Sequence, residues 1–186
     1  ELCQRIKDRL AEGVILTNLA EVTTNLGNYP EAQALFERAI AIREEIGNDE
    51  GVAMAKNYLG GLHRRIGHYD RALADYEQAL AINLRIEHKE QTFSSLTGLG
   101  MLHCDLGEYD QAQDFLGQAA ELLPDPTSHL YVEYLINTSL LKTITSDPEA
   151  AAVMGEEALT LSKDLPWFHA PAAKNIGHAY LALGQL

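Results

Sequence analysis

Apolar residues recur three and four positions apart along most of the chain. Leu59, Leu62 and Ile66 share one face, and Leu99, Leu102 and Leu106 share another. This is the spacing of a helix with one buried side. A second run of the same period follows each, as in Ala72, Tyr76, Ala79, Leu80 and Leu84. Between the two runs stand Leu26-Gly27-Asn28-Tyr29, Ile66-Gly67-His68-Tyr69 and Leu106-Gly107-Glu108-Tyr109. Glycine accepts the left-handed conformation at a helix end, so it stops the first helix, and the second starts at the tyrosine. No alternating pattern predicts a strand, and no Ser/Gly linker or low-complexity segment occurs.

The pattern repeats. Gly27, Gly67 and Gly107 are 40 residues apart. Each is followed by alanines in register: Ala32 and Ala39, Ala72 and Ala79, Ala112 and Ala119. A fourth copy is degenerate: Thr145-Ser146-Asp147-Pro148 replaces the glycine turn, while Ala151 and Ala158-Leu159 keep the spacing. Ile176-Gly177-His178-Ala179-Tyr180 belongs to a fifth, and Leu2 and Ile6 match Ile42 and Ile46 at the tail of a second helix. The expected boundaries are therefore 1–7 as the end of a preceding helix, 10–47, 49–87, 89–124 and 126–164 as four repeats, and 168–186 as the first helix of another. Asp125-Pro126 and Asp147-Pro148 each read as a capping acid with proline at the first helical position. Leu165-Pro166 closes the eighth helix. A fixed period of this length is the mark of a solenoid, in which each unit buries its apolar face only by stacking.

These residues resemble the tetratricopeptide repeat over nearly the whole chain. The matching positions are Leu59, Gly60, Gly67, Tyr69, Ala72, Tyr76 and Ala79 in one copy, and Leu99, Gly100, Gly107, Tyr109, Ala112, Ala119 and Pro124 in the next. The resemblance implies an all-α, right-handed αα-superhelix whose first helices form a concave wall. Two departures stand out. The common period is about 34, so a period of 40 adds about a turn and a half of helix per unit. The position often held by tyrosine in the first helix carries Thr23, His63, His103 and Lys142. The longer period is similar to that of cortical-polarity adaptors, bacterial peptide-sensing receptors and the sensor arms of ATPase-type transcription regulators. Likeness of fold does not carry function with it.

Charge narrows the partners. Lys plus Arg number 14 and Asp plus Glu 27, a net charge of -13. Nucleic acid and anionic membrane surfaces both select basic patches, so neither is an expected partner. No apolar run reaches a membrane span or a secretory leader. Cys3 and Cys104 form no close-spaced pair, which suggests free thiols in a reducing, cytoplasmic setting. The first residue is not methionine, so the sequence reads as a cut fragment.

Catalytic patterns are missing: there is no phosphate loop, no His-Glu-x-x-His and no Gly-x-Ser-x-Gly. No enzyme activity, cofactor or metal is expected. His63 and His103, with Cys104, would be the ligands of a metal reading, but further ligands have no place, and repeat equivalence explains both rings. Glu44-Glu45 and Glu156-Glu157 read as solvated surface. Trp167-Phe168 is either an exposed anchor or a cap over the core.

On the resemblance, the wall positions are Thr17, Glu21 and Thr24, then Asn57, Gly61 and Arg64, then Thr97, Met101 and Cys104, then Ile136, Asn137, Leu140 and Thr143, and last Lys174 and His178. Asn57, Arg64 and Lys174 echo the family's carboxylate clamp without its spacing. The expected partner-binding groove is Asn57, Arg64, Thr97, Met101, Ile136, Asn137, Leu140, Lys174 and His178. Its apolar strip suits a partner helix or extended peptide, with Asn57 bonding the peptide backbone and Arg64 a carboxylate. The strip residues fit equally well as packing between helices, since a phase error of one residue turns a side chain by about 100°. The leading expectation is a noncatalytic interaction module. Its alternatives are a regulatory segment of a larger regulator and self-association through Ile176, Tyr180 and Leu183 of the last helix.

Overall fold

The computed structural model describes residues 2–123, 125, 126 and 128–185, with side chains from residue 5 onward. Cys3 and Pro124, both used in the sequence reading, lie outside those described side chains. Among the described residues there are nine helices and no strand: α1 (Leu2–Asn25), α2 (Tyr29–Glu45), α3 (Asp49–Arg65), α4 (Tyr69–Arg85), α5 (Lys89–Leu106), α6 (Tyr109–Ala120), α7 (His129–Ile144), α8 (Pro148–Leu161) and α9 (Pro166–Ala182). The fold is an all-α solenoid of helix pairs.

The turns carry the register. Gly27, Gly67 and Gly107 have φ of 82°, 77° and 78°. At the second of them His68 N–H donates to the His63 carbonyl at 2.8 Å and Gly67 N–H to that of Arg64 at 3.1 Å. The other two turns share this Schellman pattern, which satisfies carbonyls that the helix end leaves bare. Ser146 takes the same left-handed role with φ 64°, and Glu87 does so at 56° where Gly47, 40 positions earlier, has 69°.

Two expected boundaries differ. The helix runs unbroken through residue 8, because Lys7-Asp8 stand where a later repeat has Gly47-Asn48 and supply no turn-forming glycine. The segment 1–7 is thus not set off from α1 within the described residues. The seventh helix begins at His129 rather than after Pro126: Ser128 Oγ caps it by accepting from Tyr131 N–H at 3.2 Å. At the eighth the expected cap is present, with Asp147 Oδ1 accepting from Ala150 N–H at 3.3 Å and Pro148 first in the helix.

The chain divides at residue 98 into two compact units. In the first, α1 packs on α2, α2 on α3 and α3 on α4. Phe36, Leu59 and Leu62 fill its core beside Ala20, Ala32 and Ala55. Burying Phe36 contributes roughly 1.5–3 kcal/mol. Tyr76 wedges against two glycines: a Cβ on Gly60 would come to 3.0 Å from its ring, and one on Gly98 to 2.4 Å. Arg43 is buried and donates to the Gly51 carbonyl at 2.7 Å. Its counterpart 40 residues on, Asn83, donates to the Gln91 carbonyl at 3.1 Å, so one clasp recurs with the period. In the second unit α7, α8 and α9 pack on one another and α6 on α7. Val132, Leu135, Ile136, Ala158 and Ala172 form a core there, and Met101, Ala112, Leu116 and Leu141 another.

Candidate functional site

Asn57 is the centre of the first unit's candidate face. It is half-buried on α3, and its Oδ1 accepts from Ser95 Oγ of α5 at 2.9 Å. Ser95 in turn accepts from Asn83 Nδ2 at 3.1 Å. Ser95 Oγ also lies 3.0 Å from the Gln91 carbonyl, so its one proton is shared between that carbonyl and the Asn57 amide. The Asn57 Nδ2 is buried and has no hydrogen-bond partner within the chain. One turn on, a Cβ at Gly61 would meet only Tyr76 Oη, at 3.5 Å, so the surface beside Asn57 is bare of side chain. Arg64, half-buried, continues the same face at the next turn. Thr97 is buried and donates to the Phe93 carbonyl at 3.1 Å.

The second unit holds the rest of the expected set. Met101 and Leu140 belong to one core cluster. Ile136 belongs to the other, and its carbonyl accepts from Asn175 Nδ2 at 2.8 Å. Asn137 is half-buried, while Lys174 and His178 are exposed on α9. Tyr180 and Leu183 pack on Ala151, Ala152 and Ala179 of their own unit, and Ile176 lies against Gly155.

The two repeat-equivalent histidines are each tied to a carboxylate. His63 Nδ1 lies 2.7 Å from Asp75 Oδ2 in a buried pair between α3 and α4. Lys56 Nζ stands 3.9 Å from the other Asp75 oxygen. Burial pushes the Asp75 carboxyl above the usual carboxylate range, and the His63 bond, the His63 charge and Lys56 only partly oppose it. His103 Nδ1 lies 2.6 Å from Glu108 Oε2, and its ring stacks on Phe115 at 5.2 Å. Among the described residues no three His, Cys, Asp or Glu side chains gather closely enough to hold a metal. The Trp167-Phe168 pair separates: Trp167 is 86% exposed, whereas Phe168 packs on the core.

A family model described as tetratricopeptide repeat matches residues 12–85 and 91–164. The chain belongs to the tetratricopeptide repeat family. Solved structures share the fold. A crystal structure of BtubC (BKLC) from P. vanneervenii is 21% identical, with a TM-score of 0.71 over 100% of this chain and 85% of that one. The apo form of RapI is 15% identical, with a TM-score of 0.72 over 95% of this chain and 54% of that one. A chain of the Cut9-Hcn1 assembly is 23% identical, with a TM-score of 0.70 over 92% of this chain and 30% of that one. This chain thus spans about half of RapI and under a third of the Cut9-Hcn1 chain. No curated protein matches the sequence. Tetratricopeptide stacks are in general protein-interaction modules, and this chain shares that class. Among the described residues no helix is long and apolar enough to cross a membrane.

Sequence reasoning found Asn57 but missed the hydrogen-bonded neighbours around it. Ser95 and Asn83 lie 38 and 26 residues away, and only the 40-residue register would bring them to mind. Asp75 was missed because a lone acid in a helix reads as surface until its histidine is located.

Proposed function

We propose that this tetratricopeptide chain is a noncatalytic module that holds a peptide or helix of a partner protein, with Asn57 bonding the partner's backbone. The observation that carries this reading is the Asn57 amide, seated against Ser95 with its Nδ2 unpartnered within the chain. A buried N–H that lacks an acceptor costs about 1–3 kcal/mol, which a peptide carbonyl would relieve. Arg64, two turns along the same face, is the candidate to meet a partner carboxylate. In the second unit, Asn137, Leu140, Lys174 and His178 are candidates for a partner face considered by itself. The net charge of -13 supports protein partners over nucleic acid or anionic membrane, and the buried Cys104 thiol is compatible with a cytoplasmic setting. Selection from a displayed random-peptide library, followed by calorimetry, tests it. Peptides selected on the wild type should lose about 1–3 kcal/mol of binding to the Asn57→Ala, Arg64→Ala variant. Undiminished binding would remove both residues from the site.

A second reading, self-association, draws support from α1 more than from α9. Ile15, Leu19, Val22 and Leu26 form one stripe and are 64%, 48%, 55% and 80% exposed. Their counterparts 40 residues on, Ala55, Leu59, Leu62 and Ile66, lie in the first unit's core. A stripe built like a core face suits a helix of a second copy. Light scattering should then give a dimer mass that Leu19→Glu reduces to the monomer's. A monomer at high concentration would end this reading.

A further inference from the structure

The second unit contains a hollow of about 630 Å³ between α6, α7 and α8, within the size range of ligand sites. Tyr134, Thr138 and Leu141 line it from α7. Their spacing of four and three puts them on the side of α7 opposite Ile136 and Leu140.

The repeat explains its origin. Ala151 lies 39 residues after Ala112, so Thr138 takes the place of Leu99, and of Leu59 a further 40 back. Those leucines are 1% and 5% exposed and fill the core. On α6, Leu116 likewise takes the place of Phe36 and Tyr76. A smaller side chain faces a polar one, and the space that earlier repeats fill stays open. The α6 helix also has 12 residues where α4 has 17, which leaves less of it to cover α7.

Thr138 is only 7% exposed, and its Oγ1 is buried without a hydrogen-bond partner. Each other buried threonine among the described residues, at 17, 23, 92 and 97, bonds to the carbonyl four residues earlier. A hydroxyl in this state calls for a partner from outside the chain. Leu116, Leu141 and Met154 give apolar walls, and Tyr134 adds a ring. Two carboxylates, Asp114 and Glu121, border the hollow against one ammonium, that of Lys142, which is 3.6 Å from Asp147. The balance at the mouth is negative.

We propose that this hollow receives the arginine side chain of a partner polypeptide, together with an apolar neighbour. An arginine stem lies along apolar walls while its guanidinium meets carboxylates, stacks on an aromatic ring and donates to a hydroxyl. The volume left over takes the neighbouring apolar side chain.

The test is an NMR titration of the ¹⁵N-labelled chain with acetyl-Leu-Arg-Leu-amide and with its glutamine counterpart. The arginine peptide gives saturable shifts at Gly117, Tyr134 and Thr138, and the glutamine peptide binds about tenfold more weakly, as loss of a charge-assisted bond requires. A Cβ at Gly117 would meet nothing within 4 Å. Gly117→Phe therefore fills the hollow from α6 and abolishes the shifts, with its melting curve confirming the fold. The Asp114→Asn, Glu121→Gln variant, which changes no volume, weakens the arginine peptide about tenfold and serves if Gly117→Phe fails to fold. Equal affinity of the two peptides, binding unaffected by these variants, or no saturable shift would overturn the proposal. Equally tight binding of agmatine would overturn the polypeptide source in favour of a small organic cation.

Discussion

Asp75 is a carboxylic acid whose charge burial opposes. Burial outweighs the help of His63 and Lys56, so the folded chain holds the Asp75 proton more tightly than the unfolded chain does. A raised folded value means that the contribution of this group is fully present below the ordinary value of 3.8 and is lost as pH rises through the folded one. Asp75→Asn keeps an acceptor for His63 and removes the titration. Relative to wild type its melting temperature should gain as pH rises from 3.5 to 7, since only the wild type loses a proton there. A difference that is flat with pH would contradict this. Glu87 is a second residue-scale case. It holds φ 56° in a turn where Gly47 serves the equivalent role. Glu87→Gly should stabilise by about 1 kcal/mol, read from denaturant melts. A loss of stability would show that the Glu87 side chain makes up for its strain. The glycine and tyrosine turn residues were legible in the sequence because their chemistry is local. Asp75, Arg43 and Thr138 were not, because the meaning of each depends on a partner or a space on another helix.

At the scale of elements, small residues set how closely helices approach. Gly98 and Gly117 make opposite predictions from the same reasoning. A Cβ on Gly98 would sit 2.4 Å from the Tyr76 ring, whereas one on Gly117 meets nothing within 4 Å. Gly98→Ala should cost about 1–3 kcal/mol by overpacking. Gly117→Ala, inside α6, should add about 0.5–1 kcal/mol through helix propensity. Equal effects on urea unfolding would mean that the helices of these repeats are not held at the spacing described. Most helix starts could be read from the apolar period and the turn residues. Two could not. The continuation of α1 through residue 8 follows from the lack of a glycine at a position that the register alone marks as a turn. The Ser128 cap was passed over because Asp125-Pro126 offers the stronger local signal, and α7 took the later start all the same.

For the molecule as a whole, the 40-residue register already implies the fold class, and the family match over 12–85 and 91–164 agrees with it. The site was less legible. Of the nine expected groove residues, Thr97, Met101 and Ile136 are buried, while Lys174 and His178 are exposed. Helical phase read from sequence is uncertain by about one residue, which separates a wall position from a core one. Asn57 kept a distinct place because its amide meets Ser95 and its Nδ2 has no partner within the chain. The central claim is that a partner peptide lies along α3 in the first unit, beside Ser95. Chemical-shift mapping of a selected peptide on the ¹⁵N-labelled chain tests it most directly. The account predicts the largest shifts at Asn57, Gly61 and Arg64, with the Asn57 side-chain amide among them. Shifts confined to the α1 stripe or to the outer faces of α2 and α4, with the Asn57 amide unmoved, would contradict it.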